Sequence, residues 1–323
     1  MKRVAWALLA ALMTLAPAAS RAEYPERPVK IIVPFQAGGA SDVAARAIAD
    51  GLARRTGQPF VVENRAGATG LVGTQAAATA APDGYTLLMG HVDTLVLNPL
   101  LRRKLPYDAT KKFEPIAFIS RVPGVLIARP GSGIDGGESL IAAAKARPNR
   151  VSLGTWGVGS TVHMGLELMN QIAGIELMHV PFQSAAAAVA GVLSGQVDLT
   201  WVTPEFASGL AREGKAVVVG ASSAARISRV PDVRTLSEQG FTGFDVDTWY
   251  GLVAPPGTPL ALRQKLHGLV NALLQEPEVA QKLRQAGHET QPMSVQDFDA
   301  LVAREWHKWQ DVIRTRKLAL QLD

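Results

Sequence analysis

From Val29 onward, short apolar runs alternate with longer stretches in which apolar residues return every three or four positions. Val29-Lys30-Ile31-Ile32-Val33 reads as a strand, Val43 to Arg55 as a helix, and Phe60-Val61-Val62 and Thr86-Leu87-Leu88-Met89 as further strands. The pattern resumes with Val151-Ser152-Leu153, a helix from Thr161 to Ile172 and a strand from Ile175 to Val180. A helix from Ala185 to Leu193 and extended segments at Val197 to Trp201 and Ala216 to Gly220 follow. Strands that alternate with helices predict α/β layers, because each helix buries its apolar stripe on a neighbouring sheet. Near the end, Ser294-Val295-Gln296-Asp297 reads as a capping sequence. Beyond it, Phe298, Leu301, Val302, Trp306, Trp309 and Ile313 lie on one face of an amphipathic helix, as core rather than as a cofactor box.

Two segments share one plan. Each has a strand, a glycine turn (Gly38-Gly39, then Gly157-Val158-Gly159), a hydroxyl residue placed to cap a helix (Ser41, Ser160), the helix, and a glycine stop (Gly57, Gly174). Two architecturally similar lobes are expected, and 323 residues suffice for both.

Composition narrows the chemistry. Hydrophobic residues make up 47% and charged residues 19%, which fits a globular chain and excludes a disordered one. With no cysteine there is no disulfide, thiolate nucleophile or cysteine-ligated metal. Lys2 and Arg3 precede an uncharged stretch from Val4 to Ser20, whose apolar core ends at Leu15, short of the ~20 residues a spanning helix needs. With Ser20-Arg21-Ala22 behind it, this reads as a secretory signal over residues 1–22, cut after Ala22 and directing the protein to the periplasm. Taking its three basic residues from 33 leaves 30 against 28 acidic, so the mature chain is nearly neutral. Nothing in it resembles a nucleic-acid footprint.

Catalytic signatures are missing: there is no Gly-x-Ser-x-Gly elbow, no phosphate loop and no His-Glu-x-x-His. The six histidines form no i, i+4 pair, so no metal is expected, and no cofactor either. Gly157-Val158-Gly159 lacks the third glycine of a dinucleotide fingerprint, since Val162 stands in its place. What remains is binding. A strand, a glycine turn and a helix start present unpaired N–H groups and about half a positive charge, a ready anion site, and the arrangement occurs twice. On local sequence alone, both turns could equally be plain connections.

Several blocks resemble the extracytoplasmic receptors of tripartite tricarboxylate transporters, the Bug-type family. They are Tyr24-Pro25-Glu26-Arg27-Pro28, Ile31 to Phe35 with Ala37-Gly38-Gly39 and Asp42, Val62-Glu63-Asn64-Arg65 with Gly67-Ala68 and Gly70, and Pro82 to Leu88. They continue with Gly157 to Ser160, Val180-Pro181-Phe182, Gly195 to Asp198, Pro231 to Thr235, Trp249 to Leu252 and Ala254 to Pro259, in order along the mature chain. The resemblance implies a type II periplasmic-binding fold: two α/β lobes joined by two crossing strands, with the ligand cleft between them. Lobe one would be residues 23–123 and 244–323, and lobe two 124–243. It further implies a monomeric, non-enzymatic receptor that closes on a small carboxylate and hands it to membrane permease subunits. A receptor feeding a two-component sensor, or a secreted hydrolase using Ser160, are the alternatives.

By position, the family's carboxylate loops fall on Phe35, Ala37, Gly38, Gly39, Ala40, Ser41 and Asp42, and on Trp156, Gly159, Ser160 and Thr161, with contacts largely through backbone N–H groups and hydroxyls. Gln183, Ser184 and Asp198 are carried over as further binding residues. Ser184 departs from the family's usual glycine and narrows that side of the cleft. His91 and Asp93 follow a strand that borders the cleft and could read a polar part of the ligand. Equally, Asp93 could cap a helix starting near Thr94, with His91 partly solvated.

Overall fold

In the computed structural model, which describes residues 24–318, the first sheet takes shape where the apolar runs place it. Its strands and helices are Val29–Val33 (β1), Ala40–Thr56 (α1), Phe60–Asn64 (β2), Leu71–Ala78 (α2) and Thr86–His91 (β3). A turn of π-helix, Asp93–Leu97, leads into Asn98–Leu101 (α3) and then Glu114–Val122 (β4). The second sheet is built from Val125–Ala128 (β5), Gly137–Ala146 (α4), Ser152–Thr155 (β6), Thr161–Ala173 (α5), Met178–Pro181 (β7), Ala185–Leu193 (α6), Leu199–Val202 (β8), Pro204–Arg212 (α7) and Val217–Ala221 (β9). The chain then returns to the first sheet with Thr248–Ala254 (β10), followed by Leu260–Leu274 (α8), Pro277–Gln285 (α9) and Val295–Thr315 (α10). The expected signal segment lies outside the described residues.

Each sheet has five strands, in the orders β2-β1-β3-β10-β4 and β7-β6-β8-β5-β9. β1 pairs in parallel with β2 and β3, and β6 with β7 and β8. In each sheet one strand runs antiparallel to its two neighbours, β10 between β3 and β4 and β5 between β8 and β9. These are the two α/β lobes joined by crossing strands.

The period-two alternation sorts the core. Ile31, Leu87 and Met89 face α1 and α8 on one side of the first sheet, while Ile32 and Leu88 face the other. That second face is continuous with the lobe-two core through Leu126, Leu153, Met164 and Trp201, and α10 covers it with Phe298, Leu301, Trp309 and Val312. Gly251 in β10 allows this close approach, since a Cβ there would collide with the Phe298 ring. The last helix thus straps both lobes. Arg316, just past its end, reaches Glu167 at 2.9 Å and Glu176 at 2.6 Å in lobe two.

Two local expectations are corrected. Helix α1 starts at Ala40 with Gly39 as its cap residue, so Ser41 lies within the first turn and caps nothing. The capping chemistry comes from Asp42, whose carboxylate accepts the Gly38 N–H at 2.9 Å and closes the turn. Strand β7 begins at Met178 rather than Ile175, because the Asn170 carbonyl and side-chain oxygen take the N–H groups of Ile175 and Leu177. Phe244 stacks with Trp201, 6.1 Å between ring centroids, in the apolar core that runs through both sheets. Ser160 does cap α5, accepting the His163 N–H, and Gly57 and Gly174 stop their helices in the left-handed conformation.

One serine ties the two crossovers together. Ser222 Oγ accepts the Gly124 N–H at 2.8 Å and donates to Asp247 Oδ1 at 3.0 Å, while Ser222 and Gly124 also exchange a backbone bond of 2.9 Å. Burial pushes the Asp247 carboxyl up from 3.8 to about 7; Asp245 and, more weakly, Glu289 add to this, while the Ser222 bond and Arg121 oppose it. The unfolded chain ionises this group near pH 4, so between there and about 7 the fold holds the extra proton and loses stability as pH rises. Asp247→Asn, which keeps an acceptor for Ser222, should raise the melting temperature at pH 8 more than at pH 4. The difference should be on the order of 2–4 kcal/mol. Melting curves at the two pH values check this, and an equal change at both contradicts it.

Candidate functional site

The lobe-one wall is built on the carboxyl ends of β1, β2 and β3, where an open α/β sheet presents its loops. After β1 the chain turns at Gly38, whose φ of +85° suits glycine, and enters α1. Asp42 locks this turn. Its carboxylate also accepts from Arg46 Nε at 2.9 Å and from Asn64 Nδ2 at 2.9 Å, and Asn64 reaches the Phe35 carbonyl at 3.2 Å. Burial alone would raise the Asp42 pKa, but the bonds from Arg46, Gly38 and Asn64 outweigh it and hold the carboxyl below the usual range. Asp42 and Gly38 N–H are therefore occupied with each other and shape the loop. Ala37, Gly38 and Gly39 are exposed, and Ala40 is half-buried.

Behind this loop lies a row of rings. Phe35 meets His91 edge-on at 5.0 Å, His91 meets Tyr250 at 5.1 Å, and Tyr250 meets His288 at 5.3 Å. Burial lowers the His288 pKa to about 4, against the Ala40 carbonyl bond that raises it, so the ring is neutral. Its Nε2–H then donates to the Ala40 carbonyl at 3.1 Å and its Nδ1 accepts from Ser120 Oγ at 2.7 Å. The first residue of α1 is thus held from below. The N–H groups of Ala40 and Ser41, in the first turn, have no acceptor within the helix. Ser41 Oγ is buried and, among the described residues, has no hydrogen-bond partner. An unpaired buried hydroxyl costs roughly 1–3 kcal/mol, which a bound acceptor offsets.

The lobe-two wall stands on the carboxyl ends of β6 and β7. Gly157 and Gly159 turn the chain with φ of +122° and +78°. Ser160 Oγ donates to the Gly157 carbonyl at 2.8 Å. The Gly159 N–H donates to His163 Nδ1 at 3.0 Å, and His163 stacks on His179, 3.9 Å between centroids, whose Nε2 meets Thr155 Oγ1 at 2.6 Å. Burial, helped by His179, lowers the His163 pKa to about 3, so this pair is a neutral buttress for the loop. Trp156 is half-buried. Gln183 and Ser184 are exposed at the same end of the sheet, with Ser184 Oγ capping α6 through the Ala187 N–H at 3.2 Å.

Asp198 does not join the site. It precedes β8 at the opposite end of the sheet, where its carboxylate takes the Ser152 N–H at 2.9 Å, the Ser152 hydroxyl and Arg129 Nε. The strand direction explains the correction: β6 and β8 run parallel, so Ser152 and Asp198 share the end away from Thr155.

At His91 and Asp93 the capping reading of the sequence is corrected. His91 is buried rather than solvated, and burial keeps its pKa low against the pull of Asp93. Its Nδ1 accepts the Asp93 N–H at 3.0 Å. Thr94 ties the turn to the strand end, its Oγ1 accepting the His91 N–H at 3.0 Å and donating to the His91 carbonyl at 2.9 Å, and the helix that follows has no side-chain cap. The Asp93 carboxylate crosses to lobe two, where Oδ1 accepts the Thr161 N–H at 3.1 Å and the Thr161 hydroxyl. Residues to which the sequence reading gave no site role also shape the site: Asn64 and Arg46 as the clamp on Asp42, His288 under Ala40, and the Gly67-to-Gly70 turn. A Cβ on Gly70 would press on Thr94 and Phe35. The glycine pair between strand and helix was the available signal for that turn, whereas His288 carried none.

The orphaned hydroxyl gives a test with two opposite signs. Ser41→Ala should leave the ligand-free melting temperature unchanged or higher, because it removes an unpaired buried group. The same change should weaken carboxylate binding by about 0.5–3 kcal/mol, read by calorimetry. Lowered ligand-free stability with undiminished binding would place the hydroxyl's partner inside the protein.

The model of the tripartite tricarboxylate transporter family receptor matches residues 44–318. A UPF0065 protein of Bordetella pertussis is 33% identical over 288 residues, covering 89% of each chain. Protein BugT of the same organism is 32% identical over 292 residues, 90% of each. Among solved structures, an R. palustris protein with adipate aligns at a TM-score of 0.78 and 31% identity over 91% of this chain and 98% of that one. MatC from Rhodopseudomonas palustris with bound malate aligns at 0.75 and 32% identity over 90% and 100%. Fold, loops and sequence agree, and the chain belongs to the tripartite tricarboxylate transporter receptor family of solute-binding proteins.

Proposed function

We propose that the protein is a monomeric periplasmic receptor that captures a small carboxylate between its lobes and delivers it to the membrane permease of a tripartite transporter. The observation that carries the reading is the start of α1, where the Ala40 and Ser41 N–H groups and the buried Ser41 hydroxyl are donors with no acceptor among the described residues. A carboxylate supplies the acceptors and the negative charge that a helix N-terminus favours. That two related structures hold adipate and malate supports the same ligand class. Among the described residues no helix is long and apolar enough to cross a membrane, so in this reading uptake needs a separate membrane partner.

The hydrolase alternative asks Ser160 to act as a nucleophile beside a base. Its hydroxyl instead donates to the Gly157 carbonyl, and the nearest imidazole, His163, turns Nδ1 to the Gly159 N–H. Both groups serve loop geometry.

Screening the mature protein by thermal shift against mono- and dicarboxylates and amino acids tests the proposal. At 100 times its dissociation constant a true ligand adds ~2.7 kcal/mol of stability, and it should be recovered chemically unchanged after long incubation. Steady product formation that Ser160→Ala abolishes would overturn the receptor reading.

A further inference from the structure

The two helix starts facing the cleft are not equivalent. At α1 the Ala40 and Ser41 N–H groups and Ser41 Oγ have no partner among the described residues, while the Asp42 N–H already donates to the Gly39 carbonyl. At α5 the corresponding position is filled from within: Asp93, from the other lobe, places Oδ1 on both the Thr161 N–H and the Thr161 hydroxyl. Asp93 is 4% exposed and Thr161 3%, so this contact is desolvated rather than a surface bridge. A carboxylate at a helix N-terminus is what the family expectation assigned to the ligand, and here the protein supplies it.

Resting on the receptor reading, we infer that Asp93 stands in for one ligand carboxylate at the lobe-two anion site, so that this receptor selects a monocarboxylate whose far end carries a hydrogen-bond donor, best an ammonium group, over a dicarboxylate. Three observations lead there. A second ligand carboxylate would have to displace Asp93 from Thr161 or lie beside it, and like charges in a desolvated site repel strongly. Among the described residues no nearby cation relieves that repulsion: His91, whose Nδ1 is 3.8 Å from Asp93 Oδ2, spends that nitrogen accepting the Asp93 N–H, and burial lowers its pKa. Finally, Oδ2 forms no hydrogen bond among the described residues, so the carboxylate keeps acceptor capacity on the atom that Thr161 leaves free. An ammonium or hydroxyl on the ligand meets that oxygen, while its carboxylate meets Ala40, Ser41 and the α1 dipole.

The test varies only the far end of the ligand. Two series are titrated by calorimetry: butanoate, 4-aminobutanoate and succinate, then hexanoate, 6-aminohexanoate and adipate. Wild-type protein should bind the amino-terminated acid of at least one series about 10–100-fold more tightly than the methyl-terminated acid, the range for a hydrogen bond to a charged group. The diacid should be the weakest of the three. Asp93→Asn keeps an acceptor for Thr161 but removes the charge, and should erase the amino preference. Asp93→Ser vacates the α5 start and should move the diacid from weakest to strongest. Circular dichroism confirms that each variant is folded, and the conservative Asn variant carries the test alone if the Ser variant is not. Wild-type binding of succinate or adipate as tight as that of the amino acid, or an unchanged ranking in the variants, overturns the inference and leaves the receptor reading standing. Failure of all six acids on wild type and variants alike removes the receptor reading and this inference with it.

Discussion

An anion placed at a helix start is the interaction on which the arrangement of this protein turns. Each lobe ends a parallel strand in a glycine turn and begins a helix whose first N–H groups have no acceptor of their own. In lobe two, Asp93 meets that demand and in doing so joins the lobes across the cleft. In lobe one the demand is open, and the Ser41 hydroxyl shares it. In the proposed function, the asymmetry turns two similar-looking anion sites into one ligand site and one internal contact. It also gives the cleft a negative group that a fully ligand-directed design would not have.

The loops around these helix starts are held by neutral or mutually satisfied groups, which leaves the open donors as the main electrostatic attraction for a ligand. Asp42 is neutralised by Arg46 and hydrogen-bonded by Asn64 and Gly38. The imidazoles of His91, His163 and His288 are kept uncharged by burial, so they position backbone without adding positive charge. Farther back, α10 straps both lobes over one continuous apolar core, and Ser222 fastens the crossovers at Gly124 and Asp247.

Much of this was legible in the sequence because it is local. The β1 run, the α5 cap at Ser160 and the glycine stops at Gly57 and Gly174 depend on residues within a few positions of one another. What failed involved partners far along the chain. Of the two roles left open for Asp93, the cap rested on aspartate's preference for caps, but its partner Thr161 is 68 residues away. Asp198 shared a block with cleft-lining motifs, yet the parallel direction of β6 and β8 puts it at the other end of the sheet. Strand β10 and the support of Ala40 by His288 likewise exist only once the C-terminal part has folded back on the first sheet. Even at Ser41 the capping role was misread: the cap residue of α1 is Gly39, two positions earlier, which leaves the hydroxyl unpaired.

The most direct measurement is an amide-resolved NMR titration of the mature protein with a carboxylate that binds it. The account requires the Ala40 and Ser41 amides to show the largest downfield shifts, as N–H groups that gain a charged acceptor do, while the Thr161 amide, already bonded to Asp93, changes little. Large shifts at Thr161 with Ala40 and Ser41 unmoved would show that the ligand carboxylate takes the lobe-two site, and would contradict the account.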